Sequence, residues 1–311
     1  MPTRYLFILI ALSVLLMLGS APLTAGSLPK SQVSSGAKWI IHLDMDQFSP
    51  SKTCRILNTS GHADAKNFQS LLNHYRTLLG VDPLKDLTGI TVYGNEMTGS
   101  RGIALISGAL NNRSITRQFS TYPQYRTKNS GKLTLHSWQD KSTGRPLWAA
   151  FHTSRQLILA SDEPSLMKAD AALGGDSPTL SNGKPPVLPI PPTRKGSFFT
   201  AVTRGYAGAS PSPVMAQVLK NTELATIQIS EQAGIVDGLL ILEAISADAA
   251  VFIHQTLKGV MFFSTLSEES SPFANLANMG TITQDGKNVT LKIHCPASDA
   301  AELLAATLLA Q

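Results

Sequence analysis

The chain has 311 residues, of which 43% are hydrophobic and only 15% charged, with a net charge of +5. That balance supports a packed core and excludes a disordered or low-complexity chain. The 26 Lys and Arg residues are scattered rather than gathered in a stripe, so nucleic acid is not an expected partner.

The N-terminus carries one positive charge, Arg4, and then an apolar run from Tyr5 to Leu18. A bilayer span needs about 20 apolar residues, so the run is too short to cross comfortably, and it fits the core of a cleavable signal peptide. Small and turn-forming residues follow, and cleavage is expected after Ala25 or Gly26. Residues 1–26 are therefore expected to be removed. The mature chain is expected in a periplasmic or extracellular compartment, with no transmembrane span after signal removal. Only Cys54 and Cys295 are present. Two cysteines so far apart make no zinc site alone, and in an oxidising compartment they are a candidate disulfide.

In the mature chain, Trp39, Ile41, Leu43 and Met45 alternate with His42 and Asp44, the pattern of a half-buried strand. Helical spacing runs from Asp64 to Leu79, closed by Gly80 and Pro83. Strands follow at Gly89–Gly94 and Gly102–Leu110, then a helix at Arg113–Ser120. Three further strands, Lys132–Trp138, Leu147–His152 and Gln156–Ala160, precede a helix at Glu163–Leu173. From Gly174 to Gly196 the chain is rich in Pro, Gly and Ser, which suits a semi-rigid linker. A strand at Ser197–Tyr206 and a short helix at Pro213–Leu219 come next. A hairpin then joins Leu224–Glu231 to Ile235–Ala244 around Gln232-Ala-Gly234. Ser246 caps a helix whose expected core stripe is Ala249, Phe252, Ile253, Leu257 and Val260. A second hairpin, Met279–Gln284 with Asn288–His294, turns on Asp285-Gly286. The last helix, Ala297–Leu309, places Ala300, Leu303, Leu304, Thr307 and Leu308 on one face.

The expected organisation is thus a signal peptide (1–26), a first α+β repeat domain (37–174), a linker (175–196) and a second α+β repeat domain (197–311). The fold class is α+β, a tandem duplication of ββα-type units, with antiparallel sheets and helices packed on one face. Strands such as Ile103–Ile106 and Leu239–Leu242 are apolar on both sides, so their second face needs cover, from the other half or from a partner.

Motifs that carry chemistry are sparse. His42, Asp44 and Asp46 fall at i, i+2, i+4, a spacing that would place oxygen and imidazole ligands together on a strand face; the plainer reading is the solvent face of an amphipathic strand. Trp39–Asp46 resembles the opening strand of lesion-bypass DNA polymerases over about eight residues, but Gln47-Phe48-Ser49 stands where that family has an aromatic pair, and export contradicts a replication role. Ser49-x-x-Lys52 and Ser165-x-x-Lys168 match the S-x-x-K of penicillin-recognising enzymes, while Lys141-Ser-Thr-Gly144 has one residue too many for the third element. Trp138 and Trp148 flank a turn and would suit either a ligand platform or core packing. No nucleophile elbow, metalloprotease helix, C-x-x-C or P-loop occurs in the sequence.

The succession of AKWIIHLDMD (37–46), DPLKDLTGITVYG (82–94) and RGIALISG (101–108) resembles a class of uncharacterised exported bacterial proteins built from duplicated α/β units. That resemblance implies a signal peptide and a repeated body, and it carries no activity. The expectation is an exported, non-enzymatic binding or scaffolding protein of the cell envelope. An unknown envelope protein or ligand is its expected partner, and a homo-oligomer is a further candidate. The alternative is a secreted hydrolase or metal-assisted enzyme. No catalytic residue, cofactor or metal ligand is assigned.

Overall fold

A computed structural model describes residues 28–59, 68–70, 72–73, 75–77, 80–96, 102–140, 143–183, 188–205, 213–265 and 279–309. The cleavage positions Ala25 and Gly26 lie outside these residues, as do parts of the expected helix from Asp64 to Leu79. The strands are β1 (Trp39–Asp44), β2 (Leu87–Gly94), β3 (Ile103–Gly108), β4 (Arg126–Ser130), β5 (Leu133–Gln139), β6 (Pro146–Thr153), β7 (Gln156–Ala160), β8 (Ser197–Arg204), β9 (Thr222–Gln232), β10 (Ile235–Ala244), β11 (Gly280–Asp285) and β12 (Asn288–Pro296). The helices are α1 (Met45–Phe48), α2 (Lys52–Thr59), α3 (Pro83–Asp86), α4 (Asn112–Phe119), α5 (Glu163–Gly174), α6 (Pro213–Lys220), α7 (Ala247–Thr265) and α8 (Ala297–Leu309).

All these strands join one open antiparallel sheet in the order β11-β12-β10-β9-β8-β1-β2-β3-β7-β6-β5-β4. This is an α+β fold. The two segments on either side of the Pro-rich stretch meet at the centre, where Ile41 of β1 pairs with Val92 of β2 on one side and Ala201 of β8 on the other. A ring contact reinforces the join: Phe48 of α1 lies 4.9 Å from Phe198 of β8, centroid to centroid.

Local chemistry accounts for the turns and caps. The β9–β10 hairpin closes through Ala233 at φ 52° and Gly234 at φ 79°, and β11–β12 turns on Gly286 at φ 55°. Two-residue hairpin loops favour this left-handed backbone, because it matches the twist of the strands. The Asp162 carboxylate accepts from the Ser165 N–H at 2.8 Å, Pro164 occupies the first turn, and left-handed Gly175 ends α5. Asn111 caps α4 in the same way, and the Ser246 hydroxyl accepts from Ala249 N–H at the start of α7.

Each face of the sheet has its own core. On the first, Leu43, Ile90, Val92, Ala104 and Leu157 pack beneath Phe48, Leu57, Phe68, Leu72, Ile115 and Phe119, which come from the helical layer. Here α8 also seats Ala301, while α7 covers β10 and β12 with Ala249, Ala250, Ile253 and Leu257. On the second face, Ile40, Tyr93, Leu105 and Ile158 are covered by Leu166 and Ala169 of α5, by Val33 and Ala37, and by Leu180 and Leu188.

Two expectations are corrected here. Helices are not confined to one face, because α5 lies on the second. The second face of Ile103–Ile106 is covered by the Pro/Gly/Ser-rich stretch itself, which contributes Leu180 and Leu188 to the core with Ile103 and Leu105; further along, the Pro192 carbonyl accepts from Gln228 Nε2 of β9, 3.1 Å away. Proline carbonyls make a suitable cover, since they accept hydrogen bonds and have no N–H left to satisfy.

Candidate functional site

The sequence drew attention first to His42, Asp44 and Asp46. The structure separates them. β1 ends at Asp44, so the strand alternation stops before Asp46, which lies on α1. The Asp44 carboxylate turns to cap that helix and accepts from the Gln47 N–H at 3.1 Å. It is 3% exposed, and burial raises its pKa from the ordinary 3.8 to about 7. Asp46 is raised more mildly, by the same cause. His42 is held in a buried polar row. Its Nδ1 lies 2.9 Å from Thr91 Oγ1, and the register continues it through Thr200 to Gln228. Among the described residues no group of three or more His, Cys, Asp or Glu side chains is arranged to hold a metal ion.

Of the two S-x-x-K matches, Ser49 follows α1 and Lys52 opens α2, where both Lys52 and Thr53 donate their backbone N–H to the Glu231 carboxylate, at 2.6 and 3.0 Å. That pairing is structural, since it caps α2 from β9. Ser165 and Lys168 do share a small cavity with Ser34, Asn95, Glu96 and Ile103. Its volume is about 90 Å³, well below the roughly 300 Å³ at which small-molecule pockets begin. Neither Thr143 nor Gly144 reaches it.

The tryptophans also part. Trp138 pairs with Leu147, and Trp148 with Ser137, so they occupy opposite faces. Trp138 is buried in a stack between Phe119 at 4.5 Å and Tyr122 at 5.7 Å, and Trp148 packs against the second core. They form no common platform. Beside Trp138, the Tyr125 hydroxyl lies 2.8 Å from His136 Nδ1, and burial lowers the His136 pKa. Cys54 and Cys295 are both buried free thiols and belong to different core clusters. Burial raises both, Cys54 to about 12.

The feature that sequence patterning does not single out is on α7. Every exposed large hydrophobic among the described residues falls between Val214 and Phe262. On α7, Val251 is 43% exposed, Phe252 41% and Phe262 61%. The expected core stripe included Phe252 and Val260, and both are exposed instead. The cause is that apolar residues run nearly all round this helix, so spacing alone cannot choose its buried side. Contact with β10 and β12 chooses Ala249, Ala250, Ile253 and Leu257 and leaves the opposite arc, with Phe252, outward; Val260 is on the packed side but one turn beyond Leu257, the last residue of that contact. The signal that was available was the excess: a helix on one layer buries a single stripe, and α7 has apolar residues for two. None of the helices in the described residues is long and apolar enough to cross a membrane.

No family model matches the chain, and no curated protein matches it. Among solved structures, crystal form III of TP0453 aligns over 90% of this chain and 99% of its own, with a TM-score of 0.51 and 10% identity. Crystal form I aligns over 90% and 98%, at 0.47 and 11%. At this identity the likeness is one of fold: the chain shares with TP0453 a mixed α+β architecture on a large, open antiparallel sheet.

Proposed function

We propose that this is an exported, non-enzymatic binding or scaffolding protein of the cell envelope that works through a surface rather than a cleft. The observation that carries the reading is the outward apolar arc of α7, where Val251 and Phe252 stand 43% and 41% exposed on a helix whose other side packs on the sheet through Ala249, Ala250, Ile253 and Leu257. Large apolar side chains gathered in this way mark an interaction surface. The export signal in residues 1–26 supplies the compartment. Beneath the surface, the chain reads as a tandem duplication. Moving outward from the centre, β1-β2-β3-β7-β6 corresponds in order to β8-β9-β10-β12-β11, a first strand and two hairpins in each, and the N-terminal half adds β5 and β4 at its edge.

The test uses the buried native thiols, which leave an introduced cysteine as the reactive one. Val251→Cys in the full chain is expected to react readily with a maleimide in dilute purified protein and at least tenfold more slowly in the isolated envelope fraction. Lys132→Cys, at an exposed turn, serves as the control. Equal labelling of Val251→Cys in both settings overturns the reading, as does turnover of a small substrate at any saturable site.

A further inference from the structure

The geometry points to a second copy of this chain as the occupant of that surface, with α7 pairing antiparallel to its own counterpart about a two-fold axis near Gln255. The inference rests on the proposal that α7 presents a binding surface.

At 3.6 residues per turn, Asp248, Val251, Phe252, Gln255, Lys258, Gly259 and Phe262 fall within about 120° of arc, and the packed residues Ala249, Ala250, Ile253 and Leu257 fall opposite. Three properties of that arc fit itself. The first is charge. The arc carries Asp248 in its first turn and Lys258 about three turns further on. An antiparallel copy brings each within about one turn of its opposite, and the two-fold repeats the pairing. It also sets the helix dipoles side by side and antiparallel. The second is shape. A Cβ built on Gly259 would meet nothing within 4 Å, so the arc has a notch there. A two-fold at Gln255 sets Val251 of one copy across from Gly259 of the other and seats it in that notch. The third is spacing. Asp248, Val251, Gln255 and Lys258 repeat at alternating steps of three and four, which keeps them on one stripe along the helix. In the same register Phe252 lies over Lys258 of the second copy, where an ammonium meets a ring face.

A lipid surface is the rival occupant. Interfacial helices bind it with an apolar face rimmed by cations. Here the described charges on the arc cancel, which a second copy uses and an anionic bilayer does not.

Sedimentation velocity of the purified mature chain from about 1 to about 100 µM, the range of a moderate self-association, tests the inference. The parent is expected to dimerise within that range. Asp248→Lys or Lys258→Asp alone is expected to weaken the dimer tenfold or more, and the two together to restore it to within a few-fold of the parent. Gly259→Leu fills the notch and is expected to abolish the dimer while leaving thermal stability of the monomer unchanged or higher. Purified parent that stays monomeric at the top of that range overturns the inference, as does a double swap that fails to restore pairing. Parent that is monomeric yet floats with phosphatidylglycerol vesicles transfers the surface to lipid. If Val251→Cys is protected in the envelope while the purified chain is monomeric, self-pairing falls and the envelope-binding proposal stands. If labelling is equal in both settings while the purified chain dimerises, the envelope-binding proposal falls and self-pairing stands.

Discussion

Asp44 makes a quantitative prediction about stability. Its carboxyl is buried, caps α1 through the Gln47 N–H at 3.1 Å, and has its pKa raised from 3.8 to about 7 by desolvation. In the unfolded chain the group releases its proton near the ordinary value, whereas the folded chain keeps it until near neutrality. Between those limits the unfolded state binds fewer protons, so stability falls as pH rises. The favourable condition is fully present below the unfolded value and is lost by the time pH passes the folded one. The span is about three pH units, and each is worth about 1.36 kcal/mol, for a total near ~4 kcal/mol at most. Asp44→Asn keeps an oxygen for the cap and cannot ionise. Urea unfolding of parent and variant from about pH 4 to about pH 9 brackets the window and isolates the effect as a difference, with the slope m checked for constancy. The variant is expected to gain on the parent by about 1.36 kcal/mol per pH unit across the window and to run parallel above it. A difference that does not change with pH refutes the burial of an acid at this position.

Phe198→Ala removes the ring that packs on Phe48 across the centre of the sheet and is expected to cost about 3–5 kcal/mol. Because β1 and β8 are paired, unfolding followed by near-UV and far-UV circular dichroism is expected to remain one coincident transition, and two separated transitions would show that the halves are independent. Ala233 holds φ 52°, so Ala233→Gly is expected to raise stability by about 0.5–1 kcal/mol in the same urea assay; a loss of stability counts against the assigned turn. Both thiols are buried and free, and with its pKa pushed up to about 12 the Cys54 thiol is a poor nucleophile. Ellman's reagent is expected to find two thiols per chain after unfolding without reductant and almost none before, and finding none after unfolding would establish the disulfide.

What is legible in the sequence is governed by range. β1, the two C-terminal hairpins and α5 are set by alternation, turn glycines and caps within a few residues, and they stand where the pattern places them. α2 gives no such signal, because Lys52–Thr59 is short and polar and its N-terminus is capped by Glu231, far along the chain. β4 is equally silent, because Arg126–Ser130 is an almost wholly exposed edge with no alternation to show. The Pro-rich stretch has the composition of a tether, since Leu180 and Leu188 carry no periodicity and are core only because a sheet lies beneath them. At the candidate sites the same rule applies. Strand spacing joins Asp46 to His42 and Asp44 only while the strand continues, and the start of α1 breaks it. The arc on α7 reads as core from hydrophobicity alone, whereas burial is decided by neighbours, here β10 and β12.

The central pairing of β1 with β8 also constrains how the chain reaches its folded state. On the proposed export route, translocation delivers the N-terminal portion first. Until Ser197–Arg204 emerges, β1 is a border strand whose outer row of N–H and C=O groups has nothing to bond, and its residues Trp39, Ile40 and Ile41 offer no charge to repel another chain. A species arrested at that point is a template for association with its neighbours. A hydrogen-bonded row in the middle of the molecule therefore closes only after the chain beyond the Pro-rich stretch has emerged, and the later-exiting portion protects the portion that exits first.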